Sequence, residues 1–290
     1  MTAPRARLDA ELVRRGLARS REQAGELVAA GLVAVAGQRA SKPATQVARD
    51  APITVTDPGE PGYVSRGGHK LAGALAAFPE LVVTGRNALD AGASTGGFTD
   101  VLLRAGAAHV AAADVGYGQL AWSLRTDPRV TVLDRVNVRA LGPVTPVPDL
   151  VVADLSFISL TLVLPALVGA ATPEADFVVL VKPQFEVGKG RVGAGGVVRD
   201  TTDRSASIEK VAGAAAELGL GVRGITASPL PGPAGNVEYF LWLRRGAPPL
   251  DQEQLARAIA ESPRGVREDG SPGGEPGGSG GMESPRERKS

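Results

Sequence analysis

The stretch NALDAGASTGGFTDVLLRAG, residues 87–106, decides the fold of this chain. It begins as a short apolar strand, turns through a loop rich in glycine, and continues as an amphipathic helix. Glycines let the backbone approach a ligand closely, and the N-terminus of the helix directs its N–H groups toward that ligand. The stretch therefore predicts a nucleotide-binding unit of strand, loop and helix.

The spacing of the glycines limits which ligand this loop can hold. Gly92, Gly96 and Gly97 do not fit the GxGxxG pattern of dinucleotide-binding loops, and no GK[ST] follows, as a triphosphate-binding loop requires. This disfavours a nicotinamide-dependent dehydrogenase. The pattern resembles motif I of S-adenosylmethionine-dependent methyltransferases, D-x-G-x-x-x-G-G-F. By that resemblance, the residues of the loop that bind the cofactor are Asp90, Gly92, Ser94, Gly96, Gly97 and Phe98.

Polar residues follow the next two apolar runs. HVAAADVG (109–116) contains Asp114, an acid at a strand tip that is placed to accept both hydrogen bonds of a ribose diol. VTVLDRVNV (130–138) is expected to bring Asp134 toward an adenine amino group, with Asn137 as the second choice. Each acid taken alone is equally explained as a loop or cap residue. Because ligands of open α/β sheets bind beyond the carboxyl ends of the strands, the positions support each other.

Two later strands end on residues of opposite charge. DLVVADLSFISL (149–160) delivers Asp154, which we expect to contact the cofactor as well as the substrate. FVVLVKPQFE (177–186) delivers Lys182 to the same edge, and Pro183 marks the exit from the strand because proline cannot continue the ladder.

Two further charged residues complete a set. SRGGHKLAGAL (65–75) places Lys70 in the first turn of a helix, and GNVEYFLWL (235–243) presents Glu238 at the start of a late strand. Taken singly, such residues are usually members of surface ion pairs. In this chain order they resemble the catalytic tetrad of ribose 2'-O-methyltransferases related to FtsJ. The resemblance implies that the catalytic residues are Lys70, Asp154, Lys182 and Glu238.

The front of the chain is basic. Residues 1–56 carry nine Arg or Lys and five acids, a net charge of +4, whereas the whole chain has a net charge of +1. RLDAELVRRGLA predicts a helix with Leu8, Leu12 and Val13 on one face, and SREQAGELVAAGLV a second helix with Ser20 as its N-cap. LVAVAGQRA and APITVT are expected to be strands. Concentrated positive charge suits a module that meets phosphates.

Two basic helices followed by a small β element resemble an S4 domain, an RNA-binding module. The pattern RLDxxLVxxGLAxSRxxAxxLVxxGxVxVxG carries this resemblance. It implies that an RNA backbone is contacted by Arg5, Arg19, Arg21 and Gln23. The alternative is that these arginines form an ordinary solvated face.

Composition bounds the class of protein. The chain has 290 residues, 43% of them hydrophobic and 22% charged, which suffices for one medium-sized core and a small second domain. It has no cysteine, so disulfides and thiolate metal sites are excluded. We expect His69 and His109 to be structural and predict no metal site. Neither a signal peptide nor a membrane span is recognisable, so a cytoplasmic protein without a membrane partner is expected.

The turn-rich segment DPGEPG (57–62) predicts a domain boundary, and a region rich in Gly, Pro and Ser follows Glu261. The predicted organisation is an S4-like RNA-binding domain over 1–58, a linker over 59–65, an FtsJ-like methyltransferase domain over 66–246, a C-terminal helix over 247–261 and a disordered tail over 262–290.

The resemblance extends to one family. An S4 module joined to SRGGHKL, LDAGASTGGFTDVLL, ADVGYGQLAWSLR, VVADLSFISL, LVKPQFEVGKG and PGPAGNVEYFLWL is similar to the TlyA family. Members of that family are known as haemolysin A and as ribosomal RNA cytidine 2'-O-methyltransferases. The resemblance implies a Rossmann-like, seven-stranded α/β methyltransferase fold, S-adenosylmethionine as cofactor, and 16S or 23S ribosomal RNA in 30S or 50S subunits as substrate. Two other classes stay open: a non-catalytic ribosome-assembly factor, and a membrane-active haemolysin.

The resemblance to the tetrad suggests a separate role for each residue in methyl transfer to a ribose hydroxyl. Lys182 either accepts the proton of the 2'-hydroxyl or stabilises the developing alkoxide, Asp154 orients it, and the remaining pair holds the nucleotide. Arg66 is predicted to contact RNA. Phe157 either stacks on a base splayed out of the RNA or belongs to the core. A monomer without an obligate protein partner is the simplest expectation.

Overall fold

The computed structural model describes residues 5–18, 20–29, 31–55, 62–188 and 190–263. The elements of the N-terminal module are β1 (Arg5–Arg7), α1 (Leu8–Arg14), α2 (Arg21–Ala29), β2 (Val33–Val35), β3 (Gln38–Arg39), β4 (Gln46–Ala48) and β5 (Ile53–Val55). Strand β1 pairs with β4, and β2 lies between β3 and β5, with every pairing antiparallel. The predicted strands correspond to β2, β3 and β5, whereas β1 and β4 were not predicted.

The two helices bury one small core between them. Leu8 and Leu12 of α1 are fully buried and pack with Ala24 and Val28 of α2. Ser20 accepts a hydrogen bond from the backbone N–H of Gln23 at 3.2 Å, as expected of an N-cap. The helical pattern read from the sequence is therefore confirmed.

A buried carboxylate ties helix α1 to the turn between β4 and β5. Glu11 is 1% exposed and receives hydrogen bonds from Arg14 and Arg15, which lower the pKa of its carboxyl to about 2. Arg15 also donates to the carbonyl oxygens of Arg49 and Ala51. Arg15 is thus a structural cation, and its charge is satisfied within the module.

The larger module alternates strands and helices from the segment SRGG onward. Its elements are α3 (Gly67–Ala77), β6 (Asn87–Ala91), α4 (Gly97–Arg104), β7 (His109–Asp114), α5 (Trp122–Arg125), β8 (Val130–Asp134), β9 (Leu150–Ala153), α6 (Leu164–Ala170), β10 (Asp176–Val181), α7 (Pro183–Glu186), α8 (Thr201–Glu217), β11 (Leu220–Ala227), β12 (Tyr239–Arg245) and α9 (Gln252–Ala260). Helix α9 lies within the predicted C-terminal helix. The predicted tail falls outside the described residues from 264 onward.

The seven strands form one sheet in the order β11-β12-β10-β9-β6-β7-β8. Strand β12 runs antiparallel to both β11 and β10, whereas β10, β9, β6, β7 and β8 run parallel to one another. The predicted seven-stranded α/β fold is confirmed. The carboxyl ends of the parallel strands and the amino end of β12 consequently meet at one edge of the sheet.

Both faces of the sheet are covered, which explains why its central strands are apolar without alternation. Val151 and Ala153 of β9 face one cluster, which includes Leu164 of α6. Leu150 and Val152 of the same strand face the other, which packs against α3, α4 and α5. Among the residues that the structure describes, no helix is long and apolar enough to cross a bilayer.

A buried polar contact fixes the end of the sheet that lies opposite the strand tips. Asp176, 2% exposed at the start of β10, accepts a hydrogen bond from Nε1 of Trp242 at 2.8 Å and another from Arg86 at 3.0 Å. The hydrogen bond between Asp176 and Trp242 joins β10 to the antiparallel strand β12.

Replacing Trp242 with Phe keeps a ring but removes this donor. We expect Trp242→Phe to lower the free energy of unfolding by about 1–3 kcal/mol, the cost of leaving a buried acceptor short of a donor. Urea denaturation followed by circular dichroism measures the change. Trp122→Phe is the matched control, since Trp122 is 78% exposed and we expect it to change stability by less than about 0.5 kcal/mol. Equal effects of the two substitutions would contradict the assignment.

Candidate active site

The glycine-rich loop lies between β6 and α4 and is shaped by close backbone contacts. Gly92 has φ +90°, and a Cβ there would lie 2.5 Å from the carbonyl oxygen of Asp154. Gly97 begins α4, where a Cβ would lie 2.3 Å from Oγ of Ser65. A side chain at either position would push apart the strand tip or the start of α3. The loop is therefore restricted to glycine where it meets the neighbouring strand and helix.

The first of two cavities at the strand tips, here called the strand-tip cavity, has a volume of about 480 Å³. Its polar lining includes Ser94, Asp114, Asn137 and Asp154. Asp114 accepts hydrogen bonds from the N–H groups of Ser94 at 2.8 Å and of Gly116 at 2.7 Å. Each carboxylate oxygen keeps acceptor capacity for a further donor, as the recognition of a ribose diol requires.

The structure distinguishes the two candidates for the far end of this cavity. Asp134 forms an ion pair with Arg125 at 3.1 Å and accepts a long hydrogen bond from the N–H of Gly118. It does not line the cavity, whereas Asn137 does. Of the two candidates, only Asn137, the second choice from the sequence, lines this cavity, and its Oδ1 also accepts a hydrogen bond from the N–H of Arg139.

Asp90 lies beneath the loop and is fully buried. Its Oδ2 accepts a hydrogen bond from the hydroxyl of Thr99 at 2.7 Å, and its Oδ1 has no partner among the described residues. Burial, reinforced by the nearby charges of Asp154 and Asp114, raises the pKa of Asp90 to about 7. Asp90 therefore supports the loop from below and can change its charge near neutral pH.

The remaining residues of motif I have different surroundings. Phe98 is buried, lines the second cavity and packs its ring 6.0 Å from that of Phe240. Gly96 has φ +99° and lies against Leu124. Gly96 is thus required by packing, whereas Gly92, Ser94, Gly97 and Phe98 line the cavities.

The second cavity, here called the lysine cavity, has a volume of about 280 Å³ and includes Lys70, Lys182 and Asp154 in its lining. It shares Gly92, Ser94, Asp154 and Ser156 with the strand-tip cavity, so the two are contiguous. A ligand in one cavity can consequently meet a ligand in the other at Asp154.

Lys182 follows β10 directly and is 7% exposed. Its Nζ lies 2.5 Å from Oδ1 of Asp154 and donates a hydrogen bond to Oγ of Ser156 at 2.9 Å. The contact with Asp154 is an ion pair without the angular alignment of a hydrogen bond, so Oδ1 keeps capacity for a donor. The lysine is therefore held by two groups of one loop.

Lys70 and Glu238 form the second ion pair of the site. Nζ of Lys70 lies 2.5 Å from Oε2 of Glu238, and both residues are buried. Oε1 of Glu238 has no hydrogen-bond partner in the described part of the chain. A Cβ on Gly232 would lie 2.5 Å from this oxygen, so the chain can pass over the carboxylate only because residue 232 is glycine. The four predicted tetrad residues thus form two ion pairs; three of them line the lysine cavity, and Glu238 lies behind Lys70.

Two of the predicted RNA contacts, Arg66 and Phe157, line the cavities at the strand tips. Arg66 is exposed at the start of α3 and lines the lysine cavity. Phe157 is 91% exposed at the rim of the strand-tip cavity, so the alternative that it belongs to the core is wrong. Its φ is +65°, and its ring lies 5.3 Å from that of Phe185. A bulky residue rarely adopts this left-handed backbone conformation.

The predicted RNA contacts of the N-terminal module differ in their exposure to solvent. Arg5 is exposed in β1, whereas Arg21 forms an ion pair with the buried Asp9 at 3.0 Å and keeps 58% of its side chain exposed. Gln23 is half-buried in α2. Arg19 lies outside the described residues.

Sequence reasoning missed two polar residues that support the site. Ser156 holds Lys182, and Glu186 accepts hydrogen bonds from Ser159 and from the N–H of Leu160. Glu186 stands in the same LVKPQFE stretch as Lys182, but only the folded chain shows that its carboxylate points into the loop after β9.

The comparisons with known families agree with this geometry. Residues 63–245 match the model of the FtsJ-like methyltransferases, and residues 6–53 match that of the S4 domain. The fold and the site thus define an FtsJ-like methyltransferase joined to an S4 domain.

Several relatives identify the family more closely. The chain is 62% identical over 269 residues to the 16S/23S rRNA (cytidine-2'-O)-methyltransferase TlyA of Mycobacterium tuberculosis, covering 90% of this chain and 100% of that protein. It is 36% identical to Hemolysin A of Brachyspira hyodysenteriae, covering 81% and 98%. A solved structure from Streptococcus thermophilus that carries a hemolysin name is 39% identical, with a TM-score of 0.72 and coverage of 90% and 98%. The chain belongs to the TlyA family.

The raised pKa of Asp90 predicts a dependence of stability on pH. Because its pKa is higher in the folded state than in the unfolded chain, the contribution is present in full below about pH 4 and is lost as the pH rises through about 7. We therefore expect the stability of the wild type relative to Asp90→Asn to fall between pH 5 and pH 8.

Urea denaturation of both proteins across this range measures the difference. Contributions common to both, such as that of His109, cancel in the comparison. Parallel profiles for the two proteins would contradict the assignment.

Proposed function

We propose that this protein transfers a methyl group from S-adenosylmethionine to the ribose 2'-hydroxyl of cytidine in ribosomal RNA, with 16S RNA, 23S RNA or both as substrate within the ribosomal subunits. The observation that carries the proposal is the buried Lys182, held against Asp154 where the two cavities join. The relative from Mycobacterium tuberculosis supports the choice of ribose and RNA.

The strand-tip cavity fits the cofactor by the chemistry of its lining. Asp114 offers carboxylate oxygens to the ribose, Asn137 faces the adenine end, and Leu155 and Ile158 supply apolar contacts for a purine ring. Gly92 contributes backbone to the lining, and the carboxylate of Asp154 lies where a sulfonium would be attracted. S-adenosylmethionine supplies a methyl group that is already electrophilic because it is bonded to a positively charged sulfur.

The protein's task is then to activate and aim the hydroxyl. Lys182 either takes the proton of the 2'-hydroxyl as a neutral amine or stabilises the alkoxide as an ammonium. The ribose oxygen would bond to the methyl carbon as the carbon–sulfur bond breaks, with S-adenosylhomocysteine as the leaving group. Asp154 and Ser156 fix the position of the Lys182 ammonium. Exclusion of water from the buried site strengthens these electrostatic interactions.

The second ion pair and the rim hold the nucleotide. Lys70 lines the lysine cavity and holds the nucleotide there, and Glu238, which lies behind it and lines neither cavity, keeps the Lys70 ammonium in place. Arg66 at the mouth of the lysine cavity is suited to a phosphate. The exposed ring of Phe157 supports a base turned out of the RNA.

The S4 module supplies the remaining affinity in this proposal. Its predicted contacts with the RNA backbone are Arg5, Arg19, Arg21 and Gln23. Of these, Arg21 also forms an ion pair with Asp9. We propose an S4-like domain over 1–58 joined by a linker over 59–65 to the methyltransferase domain, a monomeric enzyme, and action in the cytoplasm, where ribosomal subunits are assembled.

The first test is transfer of label from tritiated S-adenosylmethionine to small subunits, large subunits or free ribosomal RNA from a strain that lacks the enzyme. We expect label in a 2'-O-methylated nucleoside with the wild type. Lys182→Ala should lower kcat by at least about a hundredfold while cofactor binding is retained, because Lys182 lies beyond the adenosine site. Retained activity of Lys182→Ala would refute the mechanism.

Lys182→Arg separates the two roles that remain for this residue. A guanidinium stays protonated, so it can stabilise an alkoxide but cannot accept the proton. Partial activity would assign charge stabilisation to Lys182. No transfer by the wild type to any of the three substrates would favour the alternative function, a non-catalytic assembly factor that binds RNA.

Phe157→Ala tests the proposed support of the target base. Stacking is worth about 1–3 kcal/mol per base, so we expect kcat/KM for the RNA substrate to fall by about tenfold or more, with the affinity for S-adenosylmethionine unchanged. Leu162→Ala is the matched control, since Leu162 is 54% exposed in the turn that follows the same loop. An equal kcat/KM in wild type and Phe157→Ala would exclude stacking by this ring.

A further inference from the structure

The loops after β9 and β10 carry both halves of the Lys182–Asp154 ion pair, and three contacts join them. Lys182 reaches across to Asp154 and Ser156, and the ring of Phe157 packs against that of Phe185. The third contact is made by Glu186, which takes no part in the proposed chemistry. Two of the three contacts thus involve groups that also face the substrate, and only Glu186 is free to act as a permanent anchor.

Glu186 is 4% exposed and uses both oxygens on the neighbouring loop. Its Oε1 accepts a hydrogen bond from the backbone N–H of Leu160 at 2.7 Å, and its Oε2 accepts one from the hydroxyl of Ser159 at 2.5 Å. Lys210 of α8 lies 3.4 Å from Oε2 and donates to the carbonyl oxygen of Glu186 at 2.8 Å. The buried charge is therefore compensated, and the anchor is connected to a long helix.

The segment that this anchor holds contains a strained residue. Residues 154–159 form neither helix nor strand, and Phe157 has φ +65°, a conformation that a bulky side chain rarely adopts. Such a conformation persists only where the surroundings over-determine it. Glu186 binds the chain two and three residues beyond Phe157, and Asp154 is fixed on the other side by its N–H bond to Ala91.

We propose that Glu186 is a positioning residue for the methyl transfer: it locks the loop after β9 to the loop after β10, so that Asp154, Ser156 and Phe157 keep their places relative to Lys182. This inference rests on the proposed function. The anchor acts through the loop, since Glu186 lines neither cavity. Its loss misplaces the reacting lysine and the base-supporting ring together.

The variants are chosen to separate positioning from stability. Glu186→Ala removes both hydrogen bonds, whereas Glu186→Gln keeps an oxygen for the N–H of Leu160. Asp176→Ala is the matched control, because Asp176 is an equally buried acid at the opposite end of β10. Ser159→Ala removes one hydrogen bond of the anchor and replaces Glu186→Ala if that variant fails to fold.

Two readouts are measured on the full-length protein. The first is kcat and KM for methylation of ribosomal subunits, with the dissociation constant for S-adenosylmethionine and the melting temperature. The second is hydrogen exchange at the amide of Leu160, which needs no activity. We expect Glu186→Ala to lower kcat by about tenfold to a hundredfold, Glu186→Gln to restore it to within about threefold of the wild type, and cofactor affinity to change by less than about twofold.

The control decides what a loss of activity means. Asp176→Ala should lower the melting temperature, leave kcat unchanged and leave the Leu160 amide protected, whereas Glu186→Ala should accelerate its exchange. Unchanged exchange at Leu160, or an equal loss of kcat in both alanine variants, would overturn the inference. A wild type that transfers no methyl overturns the proposed function, while an active wild type with an equally active Glu186→Ala overturns this inference alone.

Discussion

The parallel hydrogen-bond register of β6, β9 and β10 is the constraint on which the site depends. Ala91 pairs with Ala153, which in turn pairs with Val179, so the three strands end within a few residues of one another. Gly92 and Asp154 therefore leave the sheet side by side, with no space for a Cβ between them. Lys182 leaves β10 further along, and its long side chain reaches back to the carboxylate of Asp154. A shift of one residue in this register would separate Asp154 from both Gly92 and Lys182.

The same edge has a balanced charge, which explains how four ionisable groups lie there together. Two buried lysines each contact one carboxylate, so neither ammonium is left alone in a low dielectric. The buried carboxylate oxygens of the site without a hydrogen-bond donor in the described part of the chain are Oε1 of Glu238, Oδ1 of Asp90 and Oδ1 of Asp154. Leaving such atoms without donors costs stability, and functional sites are where proteins accept that cost. Of these three acids only Asp154 lines the cavities, so its carboxylate is the one within reach of a ligand.

The sequence predicts those features that follow from strand tips and short-range pattern. Asp114 and Lys182 were placed correctly because each directly follows or ends a buried apolar run, and the parallel sheet brings such ends together. The sequence favoured Asp134 over Asn137, but Asp134 forms an ion pair with Arg125, nine residues away, and only Asn137 lines the cavity. The anchoring role of Glu186 depends likewise on a contact 26 residues distant. The strands β1 and β4 of three residues each carry too little pattern to be recognised.

The reversed direction of β12 has a consequence for how the protein is made. Because β12 enters the sheet antiparallel, its first residues, and Glu238 just before them, arrive at the edge where the parallel strands end. Glu238 is the partner of Lys70, which is synthesised 168 residues earlier. During translation, Lys70 can form its ion pair only after almost the whole larger module has left the ribosome, because Glu238 is synthesised so late. A chain that ends before Glu238 would contain the glycine-rich loop but would leave Lys70 without its carboxylate partner. The site is therefore complete only when the larger module is complete.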